Sequence, residues 1–401
     1  MTADGHAVAP AAPAEPPATV GFDGARGTLF GRILHGYLLM LPTLGLYRFW
    51  LTTTKRRFYW SHTSIDGDAL EYTGNARQLL VGFLFAIVVF LPIYLALLYF
   101  STQIGPVAIF GYLGAALVLW FLAGYAIYRG RDFRLSRTLW RGIRLDQKGS
   151  ALAYALRRFL WSILVVVTLG LAYPFMVASL WRYRYRHTWY GDRQLDFVGS
   201  WKTVAGPYYR AWFTIVLLVA LVALAQAVNP GLSIAALLLL FVAAPIAFCY
   251  WRAREASRMF SAVRLGSAAL EVSVGARALA GQFLLYLLAL AGAYILLGFA
   301  IYAAWLVFFA GGAATPFFGL DPRLVLQSGW GGAAQVVGGY LAVFATFTLM
   351  GEVVLDFGYW QLVARGARIG NPAELRTARA AAEDPSLLGE GLADALNVGS
   401  F

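Results

Sequence analysis

Apolar residues run almost unbroken from Leu79 to Phe100, Val107 to Tyr128, Ala211 to Val228, Ile234 to Trp251, Phe283 to Ala310 and Ala334 to Leu355. Each run is close to or above the roughly 18–20 residues that cross a hydrocarbon core as a helix. Six transmembrane helices are expected. Two further stretches, Leu29–Trp50 and Phe159–Leu180, are apolar enough to enter a bilayer, but each breaks at the same tetrapeptide, TLGL. Glycine costs about 1 kcal/mol relative to alanine in a helix, and Pro42 and Pro174 flank the breaks. These two segments read as broken or re-entrant helices.

The polar stretches repeat. TLGL opens at Thr43 and again at Thr168, 125 positions on, and the offset continues ungapped through Gly74 and Gly199. It places Arg57 on Arg182, His62 on His187, Thr63 on Thr188 and Leu70 on Leu195. Such register over thirty-two positions marks an internal duplication. A third copy, Ala243 to Gly275, needs one inserted residue and carries Ala262 in place of the histidine; a truncated fourth runs from Phe347 to Leu375. In each strong copy an apolar helix leads through a basic, aromatic turn into a short hairpin. TSIDGDALEYTG has the turn residues Asp66–Gly67 before alternating Leu70 and Tyr72, and TWYGDRQLDFVG repeats it with Gly191–Asp192.

The expected class is therefore an all-α polytopic membrane protein: six spans, two re-entrant helices and short cytoplasmic β-hairpins in internal repeats. The units are expected at residues 21–128, 129–233, 234–331 and, partially, 332–383. Tails at 1–20 and 384–401 are expected to be disordered.

Composition sharpens the class. Charged residues make up 13% of the chain, against about a quarter in soluble domains. The net charge of +12 is concentrated at Lys55–Arg57, Arg129–Lys148, Arg182–Arg193, Arg252–Arg264 and Arg365–Arg379, whereas the loops Ser101–Pro106 and Val228–Ser233 carry none. The positive-inside rule puts the basic loops in the cytoplasm. Their expected contact is with anionic lipid headgroups, and nucleic acid is not expected. If Arg129–Lys148 and Arg182–Arg193 share a side, Phe159–Leu180 cannot cross once: either it re-enters at TLGL, the favoured reading, or the charge rule fails for one loop. The single cysteine, Cys249, excludes an intrachain disulfide. The Ala/Pro-rich first twenty residues lack the pattern of a cleavable signal peptide.

The set FDG at Phe22–Gly24, TLGLYRFW, RRFYWSHT, WRGIRL at Trp140–Leu145, the second TLGL and YGDRQLDFVG resembles the YjgN-like family of bacterial inner-membrane proteins of unknown function. The resemblance covers roughly Gly21 to Leu375. It implies an inner-membrane location and no activity, and it points to a membrane metallopeptidase as a candidate partner.

Candidate chemistry is sparse. His62 and His187 could serve as proton shuttles or metal ligands; alternatively each His-Thr pair pins its own turn. Glu352 and Asp356 lie one helical turn apart in the last apolar run, where carboxylates default to functional hypotheses. Their structural alternative is a salt bridge or a packed carboxyl. Arg57, Arg182, Arg184 and Arg186 suit lipid headgroups or simple snorkelling at the interface. No G-x-S-x-G, H-E-x-x-H or phosphate-loop spacing occurs, so neither catalytic residues, cofactor nor metal is expected. The leading functional expectation is a transporter or channel for a small solute or ion. The alternative is a non-enzymatic membrane scaffold or accessory subunit, and an enzyme acting through the His/Asp hairpins ranks last.

Overall fold

The computed structural model describes residues 16–103, 105–309 and 329–380. The expected tail at 384–401, most of that at 1–20, and the end of the fifth apolar run lie outside the described residues. Residues 18–20, expected in the first tail, instead open strand β1, Ala18–Phe22.

From β1 the chain leaves as helix α1 (Arg26–Met40), turns at TLGL and returns as α2 (Arg48–Ser61). Strands β2 (Thr63–Ile65), β3 (Asp68–Ala69) and β4 (Glu71–Tyr72) follow, then the long pair α3 (Ala76–Ser101) and α4 (Pro106–Leu135). The next hairpin, β5 (Thr138–Trp140) and β6 (Ile143–Gln147), leads into the short pair α5 (Ala151–Val167) and α6 (Tyr173–Arg186). Strands β7 (Thr188–Tyr190) and β8 (Arg193–Phe197) precede α7 (Trp201–Val228) and α8 (Pro230–Phe260). After β9 (Val263–Leu265) and β10 (Ala268–Val272) comes α9 (Ala276–Phe309). The last run returns as α10 (Gly329–Met350), a π-helical segment (Gly351–Asp356) and α11 (Phe357–Arg365); β11 (Ala367–Gly370) and α12 (Ala373–Arg376) close the described chain.

The all-α expectation is incomplete, because the hairpins do not stand apart. They join in one antiparallel sheet of order β3-β2-β1-β11-β10-β9-β8-β7-β6-β5-β4. The two ends of that order, β3 and β4, are separated in the chain only by Leu70, so the sheet closes on itself. The cause is a shared register. The first residues of each second strand pair within their own hairpin, as Arg193 and Gln194 do with Tyr190 and Trp189. The following residues pair with the next hairpin, as Leu195, Asp196 and Phe197 do with Leu265, Arg264 and Val263. β1 behaves in the same way: Ala18 and Thr19 pair with β11, and Val20 to Phe22 pair with β2. The N-terminal strand thus completes a fifth hairpin and the ring. Closure leaves no free terminal strand at either end of the order.

Local sequence sets the hairpin turns. Asp66–Gly67 and Arg141–Gly142 both hold positive φ at both positions (54° and 85°, 52° and 73°), the type I′ geometry whose twist matches paired strands. The ring interior is filled. Ile65, Trp140, Tyr190, Leu265 and Ile369, one from the first strand of each hairpin, share one cluster with Leu70, Leu145 and Leu195, and Leu375 and Ala378 pack onto it. Burial pushes the Tyr190 phenol up to about 12, as expected where water is excluded.

All five helical excursions start and end on this ring. Six helices, among the described residues, are long and apolar enough to cross a membrane: those at Ala76–Ser101, Val107–Leu135, Trp201–Val228, Pro230–Phe260, Ala276–Ala303 and Val337–Arg365. The first and third excursions turn back after helices of 14–17 residues, about 21–26 Å long at 1.5 Å per residue. Their tips are built alike. Thr43 Oγ1 donates to Leu39 O and accepts from Tyr47 N, and Thr168 Oγ1 donates to Leu164 O and accepts from Ala172 N. Leu44–Gly45 and Leu169–Gly170 take positive φ (49° and 85°, 50° and 96°), which Gly supplies at little steric cost. The parity problem disappears, since neither TLGL segment is a single crossing helix.

Candidate functional site

The two expected carboxylates lie on the π-helical segment, which begins at Gly351 and packs against α9 and α1. π-Segments are rare and often accompany functional positions. Lys55 Nζ on α2 contacts Glu352 Oε1 at 2.8 Å, and both side chains are about one-fifth exposed. The Tyr37 hydroxyl on α1 donates to the same oxygen at 3.5 Å. Glu352 Oε2 is buried with no hydrogen-bond partner. Asp356 lies close enough to Lys55 and Glu352 to interact with both electrostatically. Around them Leu29, Ile33, Leu51, Phe58, Leu349, Val353 and Phe357 exclude solvent. The pair therefore bridges the first excursion to the last.

A second carboxylate does the equivalent work for the third excursion, and sequence reasoning missed it. Glu255 on α8 is only 4% exposed. Its Oε2 accepts from Arg252 Nη1 at 2.8 Å, and its Oε1 accepts from the Tyr173 hydroxyl on α6 at 3.1 Å. The signal was present: Glu255 is the one acid inside RAREASR and stands i+3 from Arg252. The TLGL tip of this excursion is also fixed from α7. The Tyr208 and Tyr209 hydroxyls donate to Gly170 O and Leu171 O at 2.8 and 2.9 Å, and Trp212 Nε1 donates to Leu169 O at 3.0 Å. An unsatisfied carbonyl in hydrocarbon is costly, so these three bonds allow the chain to turn there.

The histidines do not meet. His62 ends α2 and His187 ends α6, on hairpins separated in the ring by β5 and β6. Each ring bonds its own helix, Nδ1 to Phe58 O at 2.7 Å and to Tyr183 O at 2.6 Å. Among the described residues no group of three or more His, Cys, Asp or Glu could hold a metal.

The arginines act mostly within the protein. Arg57 Nη2 donates to Gly74 O at 3.1 Å, and Arg182 Nη2 donates to Gly199 O at 3.0 Å, each tying a helix to the exit of its hairpin. Arg184 lies over the Trp181 ring at 5.3 Å. Arg186 pairs with Asp196 at 2.9 Å on the surface, and the Phe197 backbone N–H together with Arg186 holds the Asp196 carboxyl below its ordinary range.

A groove of about 520 Å³ opens between α3, α4 and the start of α5, lined by Phe85, Val89, Phe121, Tyr125 and Arg129 among others. It does not include Glu352.

Residues 17–293 match DUF898, a bacterial protein family of unknown function. Neither the curated proteins nor the solved structures contain a match to the chain.

Proposed function

The chain belongs to the DUF898 family of bacterial proteins of unknown function, and from that premise we propose that it is a non-enzymatic membrane scaffold. The YjgN-like resemblance is consistent with this membership. The observation that carries the reading is where two carboxylates, the half-buried Glu352 and the buried Glu255, are used: each holds a short excursion against a long one. A filled ring interior supports it, because an axial path would have to pass Trp140 and Tyr190. In this reading the five hairpin units are a duplicated module. The arginine-rich ring lies on the cytoplasmic side of the inner membrane, touches anionic headgroups and offers its outer rim to a membrane partner.

The transporter reading keeps one specific support, the π-helical segment with the unpartnered Glu352 Oε2 and nearby Asp356. One purified sample separates the two. The scaffold predicts no ion flux in wild-type proteoliposomes, and a loss of about 1–3 kcal/mol of stability in Glu352→Gln, between the worth of exposed and buried ion pairs. Flux in wild type that vanishes in a Glu352→Gln variant of unchanged melting temperature would establish the transporter instead.

A further inference from the structure

We propose that the protein senses and generates membrane curvature, acting as a wedge in the leaflet next to its ring. The argument rests on how far each excursion can reach, and it does not depend on whether a solute crosses. Every excursion leaves from and returns to the ring, so all of them pass through the near leaflet. Only three of the five, among the described residues, have helices long enough to continue into the far leaflet.

The depth of the other two can be read from their charges. On α5 the last cation before the tip is Arg158, and the charge-free stretch Phe159–Val167 extends only about 13 Å beyond it. A hydrocarbon core is about 30 Å thick. On α1 the corresponding stretch, Ile33–Met40, is about as long. Arg48, four positions past Leu44, further limits how deep the first tip can sit. The tips are nevertheless built for lipid. Leu44 is 93% exposed and Leu169 is 79% exposed, with Leu41, Val166 and Val167 beside them.

Shallow apolar insertion adds area to one leaflet. The four short helices α1, α2, α5 and α6 have no counterpart in the far leaflet. At a diameter of about 10–12 Å each, they add roughly 400 Å² of cross-section to the near side. A bilayer relieves that mismatch by bending convex toward the ring. The wedge is also stiff enough to act. Lys55 and Tyr37 on Glu352 fix one excursion, and Tyr173 on Glu255 with Tyr208, Tyr209 and Trp212 at the tip fix the other. Soft hairpins would splay and relax the stress; pinned ones transmit it.

The test uses full-length protein with Cys249→Ser and a dye on Ala69→Cys, an exposed ring position. The protein is reconstituted into phosphatidylethanolamine–phosphatidylglycerol vesicles of mixed diameter, and an impermeant quencher separates ring-outward from ring-inward molecules. Protein density per lipid area is then read vesicle by vesicle. Ring-outward density should rise several-fold from the largest to the smallest vesicles, and ring-inward density should fall. The double variant Leu44→Ser, Leu169→Ser alters only exposed tips and should flatten both trends. Density independent of diameter, the same sign in both orientations, or an unchanged slope in a folded double variant would each overturn the proposal. If the double variant fails to fold, the sign reversal in the unaltered tips still decides.

Discussion

At the scale of single residues, polar side chains in an apolar protein are informative for where they end up. Glu352 could be picked out from sequence because an acid in an apolar run is expensive. Its partner could not, since Lys55 lies 297 positions away and no local pattern links them. Glu255 was hidden for the opposite reason, being surrounded by arginines that made its segment read as a basic loop. The histidines illustrate how repetition can mislead: a shared His-Thr looks like chemistry, but each ring caps its own helix. Ala262, just past the end of α8 in the fourth excursion, takes the corresponding place without any ring. His187→Ala should therefore cost about 1 kcal/mol, the net worth of one hydrogen bond, and leave metal content unchanged from wild type. Thermal melts and elemental analysis of the purified variant check both; stoichiometric metal lost with His187 would contradict the capping role.

At the scale of elements, the two TLGL turns were legible as breaks and their common geometry followed from their common sequence. What surrounds them was not. Gly170 takes a φ of 96°, and a Cβ there would stand 3.0 Å from both Trp212 Nε1 and the Tyr208 hydroxyl. Gly45 takes a φ of 85° with nothing within 4 Å. Gly45→Ala should thus cost only the backbone strain of about 1–2 kcal/mol. Gly170→Ala should cost that and the loss of the bonds to α7, so its melting temperature should fall further. Equal losses in the two variants would mean that α7 does not hold the tip. The hairpins themselves were readable from Asp66–Gly67 and Gly191–Asp192, because turn chemistry is local.

At the scale of the whole molecule, the ring was the part sequence could not supply. Each second strand is split between its own hairpin and the next, and no periodicity in a five-residue strand announces that division. The closing pair is more remote still: Ala18 meets Ile369 across nearly the whole chain. Once the ring is closed it dictates the rest. Excursions must return to where they began, and the first and third turn back at TLGL as two short helices.

The measurement that tests this most directly is site-by-site cysteine accessibility in sealed membranes, on a Cys249→Ser background. Asp68→Cys and Arg141→Cys on the ring should label from one side, and Thr102→Cys and Asn229→Cys in the loops between spanning helices should label from the other. Leu44→Cys and Leu169→Cys at the re-entrant tips should resist an impermeant reagent from both sides. Labelling of either tip from the side of Thr102 and Asn229 would mean that the excursion crosses, and the single-faced ring would be contradicted.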